Sequence, residues 1–310
     1  MKKSLKLKLG MSVASLALLA GALSTTTYAW FTTNAEAKVS SVKVNAEATS
    51  DSIYLSLDGT HFSNSVAITA DKVKLTAVSY NTNAYQKYTG NDAAAWSAAT
   101  EGKVTSTDGV SGTASEGAYL TFTIFFKTTA TNASDIVFDS TKTTFTNGEN
   151  NPFTLLADYG NGTTNKAGTV YSDGYLVNAT RLAVTSYENG VEGATASDAL
   201  EFGTATRAVY NTKDAAHTAV DKGGAVVENN AAWNYYQAVM GTKTTTPVAD
   251  GAKDIADTTV VAAKATSGNV YRADFTFYVE GWDADCMDAI LGQAVTMALS
   301  FKLASTSTGE

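Results

Sequence analysis

Alternation of apolar and polar residues with a period of two constrains the fold of this chain more than any other feature of its sequence. Residues 119–128 place four large apolar side chains on one face and threonines on the other. A period of two puts alternate side chains on opposite faces of a strand, so this pattern predicts a strand with one buried face. The same alternation occurs in further segments: 42–48, 53–57, 73–77, 271–279 and 295–303.

These segments are separated by turns rich in Gly, Asn, Asp and Ser, and together they predict a mainly all-β, antiparallel β-sandwich. Two stretches interrupt the pattern. Residues 84–117 are rich in small side chains and predict a long surface loop or a short helix. Residues 186–268 predict a long insertion with local structure of its own. It includes a candidate strand at 202–210 and a short helix at 229–240 whose apolar stripe packs on the sandwich, with an exposed ligand platform as the alternative.

The N-terminus has the pattern of an export signal. Four lysines precede an apolar run at residues 11–23, and small residues follow as far as Ala29. This predicts a signal peptide at residues 1–29, cut between Ala29 and Trp30 by a signal peptidase, and hence a secreted protein. Two alternatives stay open: a retained membrane helix, and a type IV prepilin site after Gly10.

Charge and composition narrow the range of functions. The net charge is −8, and the lysine-rich start makes the remainder more acidic still. An acidic surface repels phosphate backbones, so no nucleic-acid partner is expected. The chain has a single cysteine, Cys286, so no intrachain disulfide is expected. Its two histidines, His61 and His217, lie far apart in the sequence, and no zinc-site or nucleophile motif accompanies them. We expect a protein that is not an enzyme.

An acidic segment at residues 280–288 is the one candidate for a metal site. Glu280, Asp283, Asp285 and Asp288 would offer oxygen ligands to a hard cation such as Ca²⁺. The alternative is structural, because Asp285 is also placed to cap one helical turn with Asp288 at the third position. No other cofactor is expected.

The residues around the predicted cleavage site carry a family resemblance. Residues 27–33, Thr-Tyr-Ala-Trp-Phe-Thr-Thr, resemble the signal-peptide exit of the TasA/camelysin-like proteins of Gram-positive bacteria, which have a SipW-type signal peptide. Residues 280–286 resemble a C-terminal segment of secreted clostridial relatives. The resemblance implies a jelly-roll sandwich that assembles into extracellular fibres of the biofilm matrix or cell surface. Camelysin-like proteins are also classed as metallopeptidases, but this chain lacks the histidine ligands that such an activity requires.

A mechanism of assembly follows from this resemblance. Residues 30–48 would be freed by cleavage and would add as a donor strand to the sandwich domain, residues 49–310, of the next subunit. Head-to-tail insertion does not close and so produces a homopolymer. The alternative is that the segment folds onto its own domain as the first strand. The expected assembly residues are Trp30 and Phe31 as anchors, and Val39, Val42, Val44 and Ala46 as the inserted set.

Two other functions remain as alternatives to a fibre subunit. A surface adhesin or carbohydrate-binding module is suggested by 15 tyrosines and four tryptophans, and it requires a row of exposed aromatic side chains. A secreted hydrolase requires His61 and His217 to meet beside carboxylates in a cleft. Other matrix or surface components are further candidate partners.

Overall fold

The computed structural model describes a protein built almost entirely of strands. The described residues are 37–46, 52–81, 84–88, 96–149, 153–154, 170–171, 175–192, 202–212, 252–281 and 293–304. Nineteen of the described strands belong to one hydrogen-bonded sheet, and two more form a separate pair. In chain order the elements are β1 (Ala37–Ala46), β2 (Ile53–Ser56), β3 (Ser65–Thr69), β4 (Lys74–Leu75), β5 (Ala77–Asn81), β6 (Ala84–Tyr88), β7 (Trp96–Ala98), β8 (Glu101–Ser106), β9 (Ser111–Ala114), β10 (Tyr119–Thr128), β11 (Ser134–Phe138), β12 (Thr144–Glu149), β13 (Phe153–Thr154), β14 (Val170–Tyr171), α1 (Tyr175–Ala179), β15 (Thr180–Tyr187), β16 (Val191–Glu192), β17 (Ala205–Asn211), β18 (Ala252–Asp254), β19 (Val260–Ala265), β20 (Asn269–Glu280) and β21 (Ala294–Leu303).

One part of the sheet, called sheet I, is organised around β1 and β21. These two strands pair in parallel, and β3 and β4 pair antiparallel with the opposite edge of β1. β11 and β12 pair with successive parts of the other edge of β21, the one that faces away from β1, and β19 pairs with β11. β9 pairs in parallel with β3. β1 therefore lies inside sheet I, with strands on both of its edges.

The other part, called sheet II, has β10, β20, β15 and β17 as consecutive antiparallel strands. β18 adds in parallel to β17. On the other edge of β10, β8 pairs with the first residues and β2 with the last. β8 then pairs with β9 of sheet I and so joins the two parts.

The core lies between sheets I and II. Phe126 of β10 meets Phe301 of β21 edge-on at 5.1 Å, and Phe145 of β12 stacks near Phe277 of β20 at 6.1 Å between ring centroids. Each such contact joins the two sheets, so they pack face to face. Full burial of a large apolar side chain contributes about 1.5–3 kcal/mol. The buried faces of the main strands are formed by Leu120, Phe122, Ile124 and Phe126; Tyr271, Ala273, Phe275, Phe277 and Val279; and Val295, Met297, Leu299 and Phe301.

The strands predicted from large alternating apolar residues are confirmed. β10 covers 119–128, β20 contains 271–279, and β21 contains 295–303. The strand predicted at 73–77 is divided between β4 and β5, with Val73 and Thr76 outside both.

The prediction of a loop or helix at 84–117 is wrong for its described part, which forms β6, β7, β8 and β9. Small residues do alternate in β8 and β9, where Gly102, Gly112 and Ala114 are the buried positions. A Cβ on Gly112 would lie 2.9 Å from the Leu57 side chain, so this part of the sheet packs too closely for larger residues. A strand whose buried face consists of Gly and Ala has little apolar signal in its sequence.

The prediction of an antiparallel sandwich is also wrong in part, because the sheet is mixed. β1 and β21 are parallel over eight residue pairs. They come from opposite ends of the described chain, so no hairpin turn fixes their relative direction. Four shorter pairings are also parallel: β3–β9, β5–β20, β8–β10 and β17–β18.

The segment predicted as an insertion contributes strands to the same sheet. β17 confirms the strand predicted at 202–210, and it pairs with β15 along seven residue pairs. β19 pairs with β11 of sheet I. The helix predicted at 229–240 lies outside the described residues.

Candidate functional site

Strand β1 occupies an enclosed position in sheet I. Val42 and Val44 each have a register partner on β21 and another on β3. The pairing extends to both ends of the strand, because the Lys38 amide donates to the Gln293 carbonyl at 2.8 Å and the Ala46 amide donates to the Asn64 carbonyl at 2.9 Å. The backbone of β1 is therefore held on both edges over most of its length.

Most of the predicted assembly residues in β1 point into the core. Val39 and Val44 are 0% exposed and Val42 is 1% exposed, whereas Ala46 is half-buried. Val39 and Val42 are three residues apart, which would place them on opposite faces of a regular strand. A register shift between Val39 and Ser41 marks a β-bulge that returns both valines to the same face. The structure thus brings the four described members of the inserted set together.

The burial of β1 contributes several kcal/mol to the stability of the folded subunit. Three fully buried valines contribute about 5–9 kcal/mol at 1.5–3 kcal/mol each, as an upper bound relative to an extended unfolded chain. Removal of β1 would also leave two facing strand edges, on β21 and on β3 with β4, without partners. Trp30, Phe31 and the cleavage site at Ala29 lie outside the described residues, so their roles stay predictions.

Of the predicted calcium ligands, only Glu280 is described. It is the last residue of β20, its side chain is fully buried, and the Ser79 hydroxyl donates to its Oε1. Asp283, Asp285 and Asp288 lie outside the described residues. Within the described part of the chain, no three or more His, Cys, Asp and Glu side chains form a group that would hold a metal ion. The calcium site therefore stays a prediction.

His61 belongs to a turn that is closed by several hydrogen bonds to Asp58. Its Nδ1 lies 2.8 Å from Oδ2 of Asp58, and the His61 and Thr60 amides donate to Oδ1 of the same carboxylate. Partial burial of Asp58 opposes ionisation, but the hydrogen bonds from His61, Thr60 and Ser56 outweigh it and hold the pKa of Asp58 well below its usual range. His217 and Cys286 lie outside the described residues, so the structure does not describe a meeting of the two histidines.

The same turn occurs a second time, a repetition that was not predicted from the sequence. Ser56 donates to Asp58, and Ser106 donates to Asp108, within two Ser-x-Asp-Gly segments. The two turns contact each other, because the Leu57 amide donates to the Gly109 carbonyl at 2.7 Å. The repeated four-residue pattern is the signal that would have paired them.

A polar network lies on the outer face of sheet II, and it too was not predicted from the sequence. Arg272 donates to both oxygens of Asp274, from Nε at 2.9 Å and from a terminal nitrogen at 3.0 Å. The Thr123 and Tyr187 hydroxyls donate to the same carboxylate at 2.6 and 2.7 Å. Burial, followed by the bond to Asp274, raises the pKa of Tyr187 to about 12. Four side chains from three strands are thus fixed in position on this face.

A tyrosine cluster lies elsewhere on the outer face of sheet II, under β6. The ring of Tyr85 lies 4.6 Å from that of Tyr119, at a tilted angle, and 4.9 Å from that of Tyr278, edge-on. The Arg207 guanidinium lies 3.8 Å from the centre of the Tyr80 ring. Tyr85 and Tyr278 are buried. These rings therefore pack on one another and do not form the row of exposed, coplanar aromatic rings that an aromatic sugar-binding face requires.

Comparisons with known proteins give no relatives: no protein-family model matches the chain, and no curated protein or solved structure matches it. Among the described residues, no helix has the length and apolar character needed to cross a membrane.

Proposed function

We propose that this chain is a secreted structural subunit of extracellular fibres in the biofilm matrix or at the cell surface. Its partner is a second copy of itself, and its role is not enzymatic. In the proposed assembly, β1 leaves its own subunit and fills the equivalent position in the next subunit. Export through the signal peptide and cleavage after Ala29 by a signal peptidase would free the segment that contains β1.

The observation that carries this proposal is the position of β1 between β21 and β3. A first strand that lies at the edge of a sheet can leave without opening the fold. A first strand that lies inside the sheet leaves a slot with two hydrogen-bonding edges and apolar pockets for Ala37, Val39, Val42 and Val44. A second copy of β1 fits such a slot by construction, because it makes the same contacts. Exchange from one subunit to the next is head-to-tail and generates a filament.

The β19 edge of sheet I supports exchange of β1 through the slot rather than simple addition of a strand at this edge. Among the described strands, β19 pairs only with β11, and its register shifts beside Asp135. Lys264 in this irregular stretch has a left-handed backbone, with φ of 50°, and its amide donates to Asp135 at 2.7 Å. Bulges and exposed lysines are common features that keep sheet edges from pairing with other chains. The proposal includes the jelly-roll arrangement of the sandwich, in line with the resemblance to TasA/camelysin-like proteins.

A disulfide that locks β1 in its own subunit tests this proposal. Lys43 and Ala67 are register partners on β1 and β3, and both are exposed. Directly opposed residues of antiparallel strands have Cβ atoms about 4.5–5.5 Å apart, close to what a disulfide needs. A Lys43→Cys, Ala67→Cys protein in a Cys286→Ser background should stay monomeric when oxidised and form filaments after reduction, as observed by electron microscopy.

The matched control locks two strands that do not move in the proposed exchange. Thr105 and Thr113 are exposed register partners on β8 and β9. A Thr105→Cys, Thr113→Cys protein should form filaments in both redox states. If the Lys43→Cys, Ala67→Cys protein polymerises equally well before and after reduction, strand exchange is not the mechanism of assembly.

A further inference from the structure

Sheet II has an opening at the edge of β10. β8 pairs with Tyr119–Thr121 and β2 pairs with Phe125–Thr128, so residues 122–124 have no strand partner on this edge among the described residues. The opening exists because β8 leaves β10 to pair with β9. A cleft of about 480 Å³ lies at this point, a volume within the usual range for small-molecule sites.

The floor of the cleft is polar and its groups are held in place. Thr121 donates to Glu101, and Thr123 donates to Asp274, which also receives both bonds from Arg272. These side chains are fixed by one another before any ligand arrives, which is the arrangement that binding sites need. Leu57 and Val104, both half-buried, add an apolar wall.

The lining side chains bond to one another, and the donors and acceptors that they still have unused determine which class of ligand the cleft would bind. The Asp274 carboxylate already accepts four hydrogen bonds, which fill its acceptor capacity, so it is not available to a free cation. Arg272 uses two of its five N–H groups on Asp274 and keeps the others as donors to a ligand oxygen. A phosphate or sulfate group would also face the carboxylates of Asp58 and Glu101 in the lining. The hydroxyls of Thr121 and Thr123 can still accept a hydrogen bond.

Two further groups in the lining have no hydrogen-bond partner among the described residues: the Thr276 hydroxyl and the Lys103 ammonium. The lining thus offers hydroxyls that donate and accept, an ammonium donor and a small apolar wall. These groups match the hydroxyl groups and C–H faces of a sugar. An extended peptide fits poorly, because the gap is three residues long, about 10 Å, and is closed at its ends by β8 and β2.

We propose that this cleft binds a neutral saccharide unit. The site lies on the outer face of sheet II, whereas the slot of β1 lies in sheet I. Sugar binding would give the proposed fibre subunit a contact with a polysaccharide, and it does not require filaments to form.

The test uses the purified protein and a panel of neutral disaccharides: maltose, cellobiose, lactose and chitobiose. A sulfated disaccharide and a short Ser/Thr-rich peptide serve as the other arms. Saturation-transfer NMR at millimolar ligand identifies binders, and calorimetric titration measures their Kd. We expect at least one neutral disaccharide to bind more tightly than the sulfated sugar or the peptide.

Substitutions locate the binding. Thr276→Val removes one hydroxyl at nearly constant volume, and loss of one hydrogen bond should weaken binding about three- to tenfold. Thr296→Val is the matched control, since Thr296 is a half-buried strand threonine of sheet I. Lys103→Ala, at an exposed position, should weaken binding similarly without affecting the fold.

Three results would overturn the proposal: no neutral disaccharide binds, the sulfated sugar or the peptide binds best, or the cleft variants bind as tightly as Thr296→Val. Any of these would leave the fibre proposal standing, because polymerisation is observed separately.

Discussion

Truncation of a valine in β1 should lower the stability of the monomer and raise the rate of assembly. Val44 is fully buried between sheets I and II, whereas its neighbour Lys43 is exposed on the same strand. Val44→Ala removes two methyl groups, worth about 0.8 kcal/mol each in transfer alone. The residual cavity adds to this, so we expect a loss of roughly 2–3 kcal/mol in the free energy of unfolding. Lys43→Ala should stay within about 0.5 kcal/mol of the wild type.

The same substitution should speed the release of β1. Contacts of Val44 are lost whenever β1 leaves the slot, so a weaker contact favours the open state. At 1.4 kcal/mol per tenfold, a loss of about 2 kcal/mol raises the open population roughly 30-fold. The filament contact weakens by the same amount, because the strand makes the same contacts in the next subunit. Val44→Ala should therefore polymerise faster and form filaments that dissolve at lower urea concentration.

Two assays check these expectations. Urea denaturation of the monomer, followed by circular dichroism, should give a lower midpoint with an unchanged m-value for Val44→Ala. Light scattering then measures the rate of assembly and the urea midpoint of filament dissociation. If Val44→Ala and Lys43→Ala have the same monomer stability, the buried position assigned to Val44 is wrong. If the monomer is destabilised but assembly is no faster, release of β1 does not limit polymerisation.

Three further predictions concern stability. Burial opposes ionisation of Asp58, but its hydrogen bonds, the strongest of them with His61, lower its pKa in the folded state. The stabilising contribution of Asp58 is therefore present above about pH 4 and is lost as the pH falls below that. Thermal melts of Asp58→Asn should depend less on pH between about 2 and 5 than those of the control Asp71→Asn, and equal dependence would contradict this. A Cβ at Gly117 would overlap the backbone of β8, so Gly117→Ala should cost about 1–3 kcal/mol in urea denaturation, and an unchanged midpoint would count against the described packing. Because Lys264 has a left-handed backbone, Lys264→Gly should raise stability by about 0.5–1 kcal/mol, the relief of backbone strain less the entropic cost of glycine; destabilisation would show that no strain exists there.

The strands that could be predicted are those whose buried faces carry large side chains. β10 alternates Leu120, Phe122, Ile124 and Phe126 with residues that are mostly threonine, and this pattern predicts both the element and its inward face. Phe125 is the large apolar exception on the opposite face. β8 and β9 bury Gly102, Gly112 and Ala114, which have too little apolar surface to stand out from a loop. Their close packing against other strands is a property of the tertiary structure and leaves only a composition bias in the sequence.

The candidate sites, too, include residues that could be predicted from the sequence and residues that are brought together only by the tertiary structure. The inserted set of β1 was predictable from its alternating valines, but the bulge after Val39 and the parallel partner β21 depend on register between distant strands. The polar network around Asp274 joins β10, β15 and β20, whose residues lie up to 151 positions apart in the chain. The repeated Ser-x-Asp-Gly turn at Asp58 and Asp108 was not predicted, although its four-residue pattern is visible in the sequence.

Cross-linking between two different subunits tests strand exchange most directly. One protein carries Lys43→Cys on β1 and the other carries Ala67→Cys on β3, both in a Cys286→Ser background. The two proteins are mixed as monomers, allowed to assemble, oxidised and separated on a non-reducing gel. If β1 of one subunit fills the slot of the next, the two variants form a disulfide-linked heterodimer that a mixture of Lys43→Cys with Thr105→Cys does not form. Filaments that assemble without this heterodimer would contradict the proposed mechanism.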